Sequence, residues 1–156
     1  MSPAGTVRVA GPDDVPALTA LRRAWAEENA GGPIDDDGFE GAFSDWFERE
    51  RHQRVTWLAE VDERPVGMLN MLVFTRMPKP HSPEIAWSPR WGYVANVYVR
   101  DTQRGTGIGR MLVDAVTSYA DEHGFARLVL APSERSVSLY IRAGFGPASS
   151  LMVREG

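Results

Sequence analysis

The chain has 156 residues, a length that suits one hydrophobic core, so we expect a single domain over residues 1–156. Apolar residues make up 43%, which argues against intrinsic disorder. A formal net charge of -4 offers no basic face for nucleic acid. The absence of cysteine excludes disulfides, thiolate metal sites and a cysteine nucleophile.

Two absences in the sequence bear on the cellular compartment and on metal binding. We find no signal segment and no apolar run of membrane-spanning length, so we expect a cytoplasmic protein without a membrane partner. His52, His81 and His123 are scattered and lack metal-ligand spacing, so we expect no metal.

The first half of the chain predicts a strand, two helices and a hairpin. Asp13 or Asp14 can cap the first helix, which should end before Gly31. Residues 34–38 read as a loop. The predicted elements are a strand at 6–10, helices at 15–30 and 39–51, and an antiparallel pair of strands at 55–61 and 66–74.

The second half begins with a proline-rich connection over residues 77–90, which we expect to be irregular. We consider a short additional strand at Phe145 and assign a last strand at 150–153. The other predicted elements are a strand at 91–99, a helix from 107 to about 123, a strand at 128–130 and a short helix at 136–143.

The most informative segment joins the strand at 91–99 to the following helix. Gly105, Gly107 and Gly109 alternate there. Such a junction presents main-chain N–H groups and a helix N-terminus to an anion, and glycine lets a phosphate approach the backbone closely. Three arginines flank the loop and add positive charge: Arg100, Arg104 and Arg110.

Three other interpretations fit this loop less well. A P-loop needs Lys followed by Ser or Thr, and the chain has Arg110 and Met111 after its last glycine. A dinucleotide fingerprint needs a different glycine spacing and opens the first βαβ unit of a chain. A plain turn without a ligand rarely needs three glycines with flanking arginines.

Two motifs together carry a family resemblance. The pattern Arg104-x-x-Gly107-x-Gly109 resembles the acetyl-CoA pyrophosphate loop of the GNAT superfamily, the GCN5-related N-acetyltransferases. Downstream, the segment from Leu139-Tyr140 to Gly144-Phe145 is similar to that family's Leu-Tyr-x-x-x-Gly-Phe signature. The resemblance covers nearly the whole chain. It implies a single-domain α/β (α+β) fold, a mixed central sheet with helices on both faces.

The resemblance also implies an activity. It predicts direct transfer of an acetyl group from acetyl-CoA to a primary amine, with Tyr140 as the general acid that protonates the CoA sulfur. Val97 should help to polarise the acetyl carbonyl, and Ser133 should lie near the CoA arm. The implied cofactor-binding residues are Val97, Tyr98, Val99, Arg104, Gly105, Thr106, Gly107, Ile108, Gly109, Arg110, Ser133 and Tyr140.

The base that deprotonates the amine is left open. An alkylammonium with a pKa of about 10 is mostly protonated at neutral pH and cannot attack. Some relatives carry a glutamate on the central strand, where this chain has Tyr93, with Asn96 nearby and no carboxylate. The candidates are Glu84, Glu60, Glu28, or a water chain held by Tyr93, Asn96 or main-chain carbonyls.

The acceptor is predicted only as a class. Acidic residues between the first two helices and aromatic residues near the central strand suit a small cationic amine. A solvated loop is the favoured explanation of the aspartates, and the tryptophans have the alternative role of covering the sheet edge. Alternative functions are acetylation of a protein N-terminus or lysine, and a non-catalytic acyl-CoA sensor. A homodimer is a mild expectation. The residues concerned are Glu27, Glu28, Asp35, Asp36, Asp37, Trp87, Trp91 and Tyr93.

Overall fold

One sheet organises the part of the chain that the computed structural model describes, residues 5–78, 80 and 89–156. Its strands lie in chain order. Each neighbouring pair is antiparallel except the last, which is parallel. The strands are β1 (Gly5–Val9), β2 (Arg54–Val61), β3 (Arg64–Thr75), β4 (Arg90–Val99) and β5 (Arg127–Leu130).

The α-helices pack on both faces of this sheet, which confirms the predicted mixed fold. The helix α1 ends at Gly31, whose φ of 81° is left-handed and whose N–H donates back to the carbonyls of Glu27 and Glu28. The helices are α1 (Val15–Ala30), α2 (Phe39–Glu50), α3 (Ile108–Glu122) and α4 (Val137–Arg142).

The predicted hairpin is formed by β2 and β3. Its turn is tighter than the sequence indicated, because Asp62 and Glu63 both have positive φ, 50° and 62°. A two-residue turn of this kind matches the twist of the flanking strands. The strand β3 therefore begins at Arg64 and includes Pro65, two residues before the predicted start at 66.

The predicted strand at 150–153 is wrong, and Phe145 is not in a strand either. The chain beyond α4 has neither helix nor strand, and Met152 is 97% exposed. A short apolar run becomes a strand only when another strand offers hydrogen bonds and a surface to cover, and no described strand pairs with this segment.

Only the ends of the predicted irregular connection at 77–90 are described. They are joined because the Arg76 N–H donates to the Pro89 carbonyl at 2.9 Å. Glu84 and Trp87 lie outside the described residues. None of the helices that are described is long and apolar enough to cross a bilayer.

Two apolar clusters hold the layers together, one on each face of the sheet. The first packs α3 against the sheet and includes fully buried Leu69, Leu112 and Val116. The second packs α1 and α2 against the other face, around Leu18 and Leu58. Tyr140 of α4 belongs to the α3 cluster.

Candidate active site

A β-bulge distorts the centre of β4. Met68 of β3 pairs with Tyr98, whereas Asn70 pairs with Ala95, so β4 has one residue more than β3 in this interval. Asn96 lies in this interval and has a φ of 55°, a left-handed conformation that asparagine tolerates better than most residues. Such a bulge bends the strand and disrupts its pairing.

The parallel strands β4 and β5 separate just before this bulge. They pair from Trp91 with Arg127 to Val94 with Leu130, and β4 then continues alone on that side to Val99. We call the main chain of residues 95–99 the donor edge. Its outward N–H and C=O groups have no strand partner among the described residues, so an extended ligand can add to it as a strand would.

The glycine loop follows the donor edge and opens α3. Gly105 and Gly107 adopt left-handed φ values of 77° and 94°, which glycine reaches without a steric penalty. The main-chain N–H groups of residues 105–110 make no hydrogen bond to any described residue. The Ile108 side chain is buried in the core, as predicted, so the backbone here faces outward while the side chain anchors the turn. Free amides at a helix N-terminus form a site for an anion.

Arg104 turns away from these amides. Its Nε donates to the Val99 carbonyl at 3.0 Å, and a terminal guanidinium nitrogen lies 2.7 Å from the Glu28 carboxylate. The guanidinium also lies 5.7 Å from the Tyr98 ring centroid. Arg104 thus ties the donor edge to α1, and it occupies one of the carbonyls expected to bind the CoA arm.

The other two flanking arginines also have protein partners. Arg110 pairs with Asp114 one turn along α3 at 2.8 Å, and Arg100 donates to the Pro65 carbonyl at 3.2 Å. The loop's capacity for an anion therefore comes chiefly from its main-chain N–H groups.

Tyr140 is held close to the start of α3. A Cβ at Gly109 would lie 3.7 Å from Leu139 of α4, so the two helices meet there. The Tyr140 ring is buried and packs edge-on against Phe145, with centroids 5.7 Å apart. Burial raises the pKa of the phenol, which keeps its proton at neutral pH. The hydroxyl makes no hydrogen bond to a described residue, and it is not among fully buried polar atoms without a partner, so it retains some accessible surface.

Ser133 lies in the connection between β5 and α4. It is exposed, and its hydroxyl lies 2.9 Å from that of Ser136. The hydroxyl retains the capacity for a further hydrogen bond, because an O–H has one donor and two acceptor positions.

Two of the candidate bases are engaged elsewhere. The Arg104 guanidinium holds the pKa of Glu28 below its usual range, the opposite of what a base requires. Glu60 lies on β2 and accepts a hydrogen bond from Arg8 at 2.9 Å. Glu84 lies outside the described residues. Tyr93 and Asn96 both have exposed side chains on β4.

A cavity of about 330 Å³ lies between the sheet and the helices α1 and α2. Its lining includes Asn96, so the cavity extends to the β-bulge. We call it the acceptor cavity. Its polar floor is a buried pair in which Asn70 donates to the Thr56 hydroxyl at 3.0 Å. Its lining residues are Leu18, Arg22, Phe39, Ala42, Phe43, Trp46, Phe47, Thr56, Met68, Asn70 and Asn96.

Sequence reasoning missed this cavity. The aromatic residues of α2 read as an ordinary apolar stripe, although part of that stripe lines open space. Two polar residues, Thr56 and Asn70, interrupt otherwise apolar strands and were the available signal. A buried polar residue within a strand indicates a hydrogen-bonded network or a site.

Two of the acidic residues expected to attract a cation have other partners. The Glu27 carboxylate accepts the Ile34 N–H at 2.8 Å, and Glu28 pairs with Arg104. Arg23 pairs with Glu40 and also donates to main-chain carbonyls in the connection between α1 and α2. None of the five predicted acidic residues lines the acceptor cavity.

Of the three aromatic residues expected near the acceptor, the structure describes Trp91 and Tyr93. Trp91 contacts two cations, because the guanidinium carbons of Arg76 and Arg127 lie 4.6 and 4.5 Å from its ring centroid. Tyr93 is 40% exposed on β4. Across the described ranges, no group of three or more His, Cys, Asp or Glu residues is arranged to hold a metal ion.

Comparisons with known proteins agree on the fold. A model of the acetyltransferase (GNAT) family matches residues 18–145. No curated protein matches the chain in sequence. A predicted acetyltransferase from Clostridium acetobutylicum, solved with acetyl-CoA, superposes with a TM-score of 0.72 at 20% identity, covering 97% of this chain and 96% of that one.

Two further solved structures are similar. A GCN5-related N-acetyltransferase from Ralstonia eutropha gives a TM-score of 0.70 at 25% identity, with 97% and 99% of the two chains covered. An aminoglycoside acetyltransferase from an uncultured soil sample, in complex with sisomicin, gives 0.68 at 18% identity, with 97% and 94% covered.

Proposed function

This chain belongs to the acetyltransferase (GNAT) family, and from that premise we propose that it transfers an acetyl group directly from acetyl-CoA to the primary amine of a small molecule. The family's general activity is acetyl-CoA-dependent N-acetylation. The proposal is carried by one observation: the N–H groups of residues 105–110 and the neighbouring donor edge are free of hydrogen-bond and strand partners among the described residues.

The donor half of the site fits the chemistry of CoA. The pyrophosphate is a dianion that the amides of residues 105–110 can solvate, with the α3 dipole adding favourable charge. The pantetheine arm carries two amides, which can pair with the donor edge at Val97. A contact with the Val99 carbonyl requires the Arg104 side chain to leave it. Ser133 and Arg110 are proposed to contact the CoA arm and phosphates.

The transfer itself needs few protein groups. The nitrogen of the neutral amine attacks the thioester carbonyl carbon, a C–N bond forms, and the C–S bond breaks. The nitrogen, now positively charged, releases a proton to solvent to give the neutral amide. Main-chain polarity at Val97 stabilises the charge that develops on the carbonyl oxygen. Tyr140 gives its proton to the departing sulfur, and solvent returns a proton to Tyr140. The raised pKa of the phenol supports this role, because the proton is present at neutral pH.

The amine must lose a proton before it attacks. We propose that a water bound by Asn96 accepts this proton and passes it to bulk solvent. The described residues place no carboxylate in the lining of the acceptor cavity. Glu84 is the carboxylate that competes with this proposal. Comparing Glu84→Gln with Asn96→Gly distinguishes the two routes of proton loss. At a pH below the pKa of the amine, only the variant that disables the route in use should lose rate.

The first experiment is a calorimetric titration with acetyl-CoA, followed in the same sample by thiol release over a panel of amines. We expect micromolar binding and thiol release that depends on the amine. Binding without release for any amine would favour a sensor, whereas no binding would overturn the assignment of the glycine loop. Light scattering of the same sample tests the expected homodimer.

A matched pair of variants assigns the binding to the loop. Gly107 precedes α3 and Gly124 follows it, and both have left-handed φ, 94° and 67°. Alanine strains either position by about 1–2 kcal/mol, so both variants should lose similar stability. Only Gly107→Ala should weaken acetyl-CoA binding, by about tenfold or more because the loop amides shift. Equal affinity of the two variants would contradict the loop assignment.

A further inference from the structure

The acceptor cavity has a lining that specifies a substrate class. We propose that the acceptor is a primary amine that carries an aromatic or large apolar body and a carboxylate, as aromatic α-amino acids do. This inference rests on the acyl transfer proposed above and specifies its acceptor.

The apolar body is indicated by α2. Phe39, Phe43 and Trp46 form a run of contacting rings along the cavity wall, with centroids 6.1 and 5.6 Å apart. Met68 and Leu18 face them from the sheet and from α1. Burying a phenyl-sized group in such surroundings is favourable, and an aromatic group gains further from edge-on contacts with these rings.

The carboxylate is indicated by the charge of the lining. Arg22 is the one charged side chain among the described residues that line the cavity. Its guanidinium lies 4.7 Å from the Trp25 ring centroid, and it forms no ion pair with another described residue. A guanidinium in an apolar recess favours a planar anion such as a carboxylate. An additional cation on the acceptor would lie unpaired beside Arg22.

The amine end is indicated by Asn96. This residue lies at the bulge of β4, where the cavity meets the donor edge, and its side-chain amide can hold the water that hydrogen-bonds to the amine. The other amide in the lining, that of Asn70, already binds Thr56 and Arg54. Two larger hollows, of about 450 and 590 Å³, include neither Asn96 nor another residue of β4 in their lining.

A panel of four amines tests the class. L-Phenylalanine has all three groups, 2-phenylethylamine lacks the carboxylate, glycine lacks the ring, and spermidine adds positive charge. We expect kcat/KM for L-phenylalanine to exceed that for each other amine by about tenfold or more, as a buried charge-assisted hydrogen bond or a buried ring predicts. The readout is thiol release at saturating acetyl-CoA.

Two matched pairs of variants assign the preference to this cavity. Arg22→Gln should abolish the advantage of L-phenylalanine over 2-phenylethylamine, while Arg49→Gln, an exposed position on α2, leaves the advantage intact. Ala42→Trp should fill the cavity and lower kcat/KM for L-phenylalanine about tenfold or more. Gly41→Trp is its control, because a Cβ at Gly41 meets nothing within 4 Å.

The possible outcomes separate this inference from the proposed function. If spermidine or glycine is the best acceptor, the substrate class is wrong and the acyl transfer stands. If Arg22→Gln leaves the amine preference unchanged, the role of Arg22 is wrong. If acetyl-CoA neither binds nor releases thiol with any amine, the proposed function itself fails.

Discussion

The donor edge with its glycine loop and the acceptor cavity are built in different ways. The first consists of main-chain groups: the N–H groups of residues 105–110 and the unpaired edge of residues 95–99. The second consists of side chains from α1, α2 and three strands. A main-chain site depends on where glycines and a strand–helix junction fall along the chain. A side-chain site depends on which elements meet in space.

The two faces of the sheet also differ in packing. On the α3 face, Leu69, Met71, Leu112 and Val116 have no exposed surface. The α1–α2 face contains the acceptor cavity and the buried Asn70–Thr56 pair. The α3 face thus supports the glycine loop with closely packed side chains. The opposite face is less completely packed, and its cavity has room for a ligand. Four experiments test this contrast, from the largest expected effect to the smallest.

Deleting a core leucine on each face compares their packing. Leu112→Ala should cost about 4 kcal/mol and Leu18→Ala about 3 kcal/mol of unfolding free energy, because a leucine that borders an existing cavity loses fewer contacts. Both side chains are essentially unexposed. Urea denaturation measures the difference. A larger loss for Leu18→Ala would mean that the α1–α2 face is as tightly packed as the other.

Removing the Tyr140 hydroxyl tests the donor half. Tyr140→Phe should lower kcat about 100-fold, as loss of a general acid does, with unchanged acetyl-CoA affinity. Because burial raises the pKa of Tyr140, the rate of the unmodified enzyme should fall only above the ordinary tyrosine pKa of about 10. The variant should lack this alkaline decline. A variant that keeps both rate and decline would exclude Tyr140 as the acid.

Removing the Asn96 side chain tests the junction between the two regions. Asn96→Gly keeps the left-handed φ of 55° without strain and should lower kcat about five- to tenfold, the value of one hydrogen bond. The unfolding free energy serves as the control and should change little. An unchanged kcat would remove Asn96 from the site.

Neutralising Glu28 has the smallest expected effect. Glu28→Gln should change kcat less than about threefold, because Glu28 forms a partly exposed ion pair with Arg104. Arg104 lowers the pKa of Glu28, so any difference from the unmodified enzyme is complete at neutral pH and disappears as the pH falls through that lowered value. A loss of about 100-fold would identify Glu28 as the base instead.

The sequence predicted most of the fold because its signals were local. Helical spacing of apolar residues located α1, α2 and α3, and alternation located β1. The strand assignment at 150–153 failed because it rested on a short apolar run alone. A strand also requires a neighbouring strand with which to form hydrogen bonds. The early start of β3 was missed because Asp62 and Glu63 adopt positive φ without glycine.

By itself the sequence located the glycine loop, since alternating glycines at a strand–helix junction constrain the backbone wherever the remaining elements lie. Only the tertiary structure decided which partners the charged residues contact and which aromatic residues line the cavity. It paired Glu28 with Arg104 across α1 and the loop, and it left Arg22 facing a cavity lined by the rings of α2. Such contacts join residues far apart in the chain, and no local pattern encodes which of them will meet.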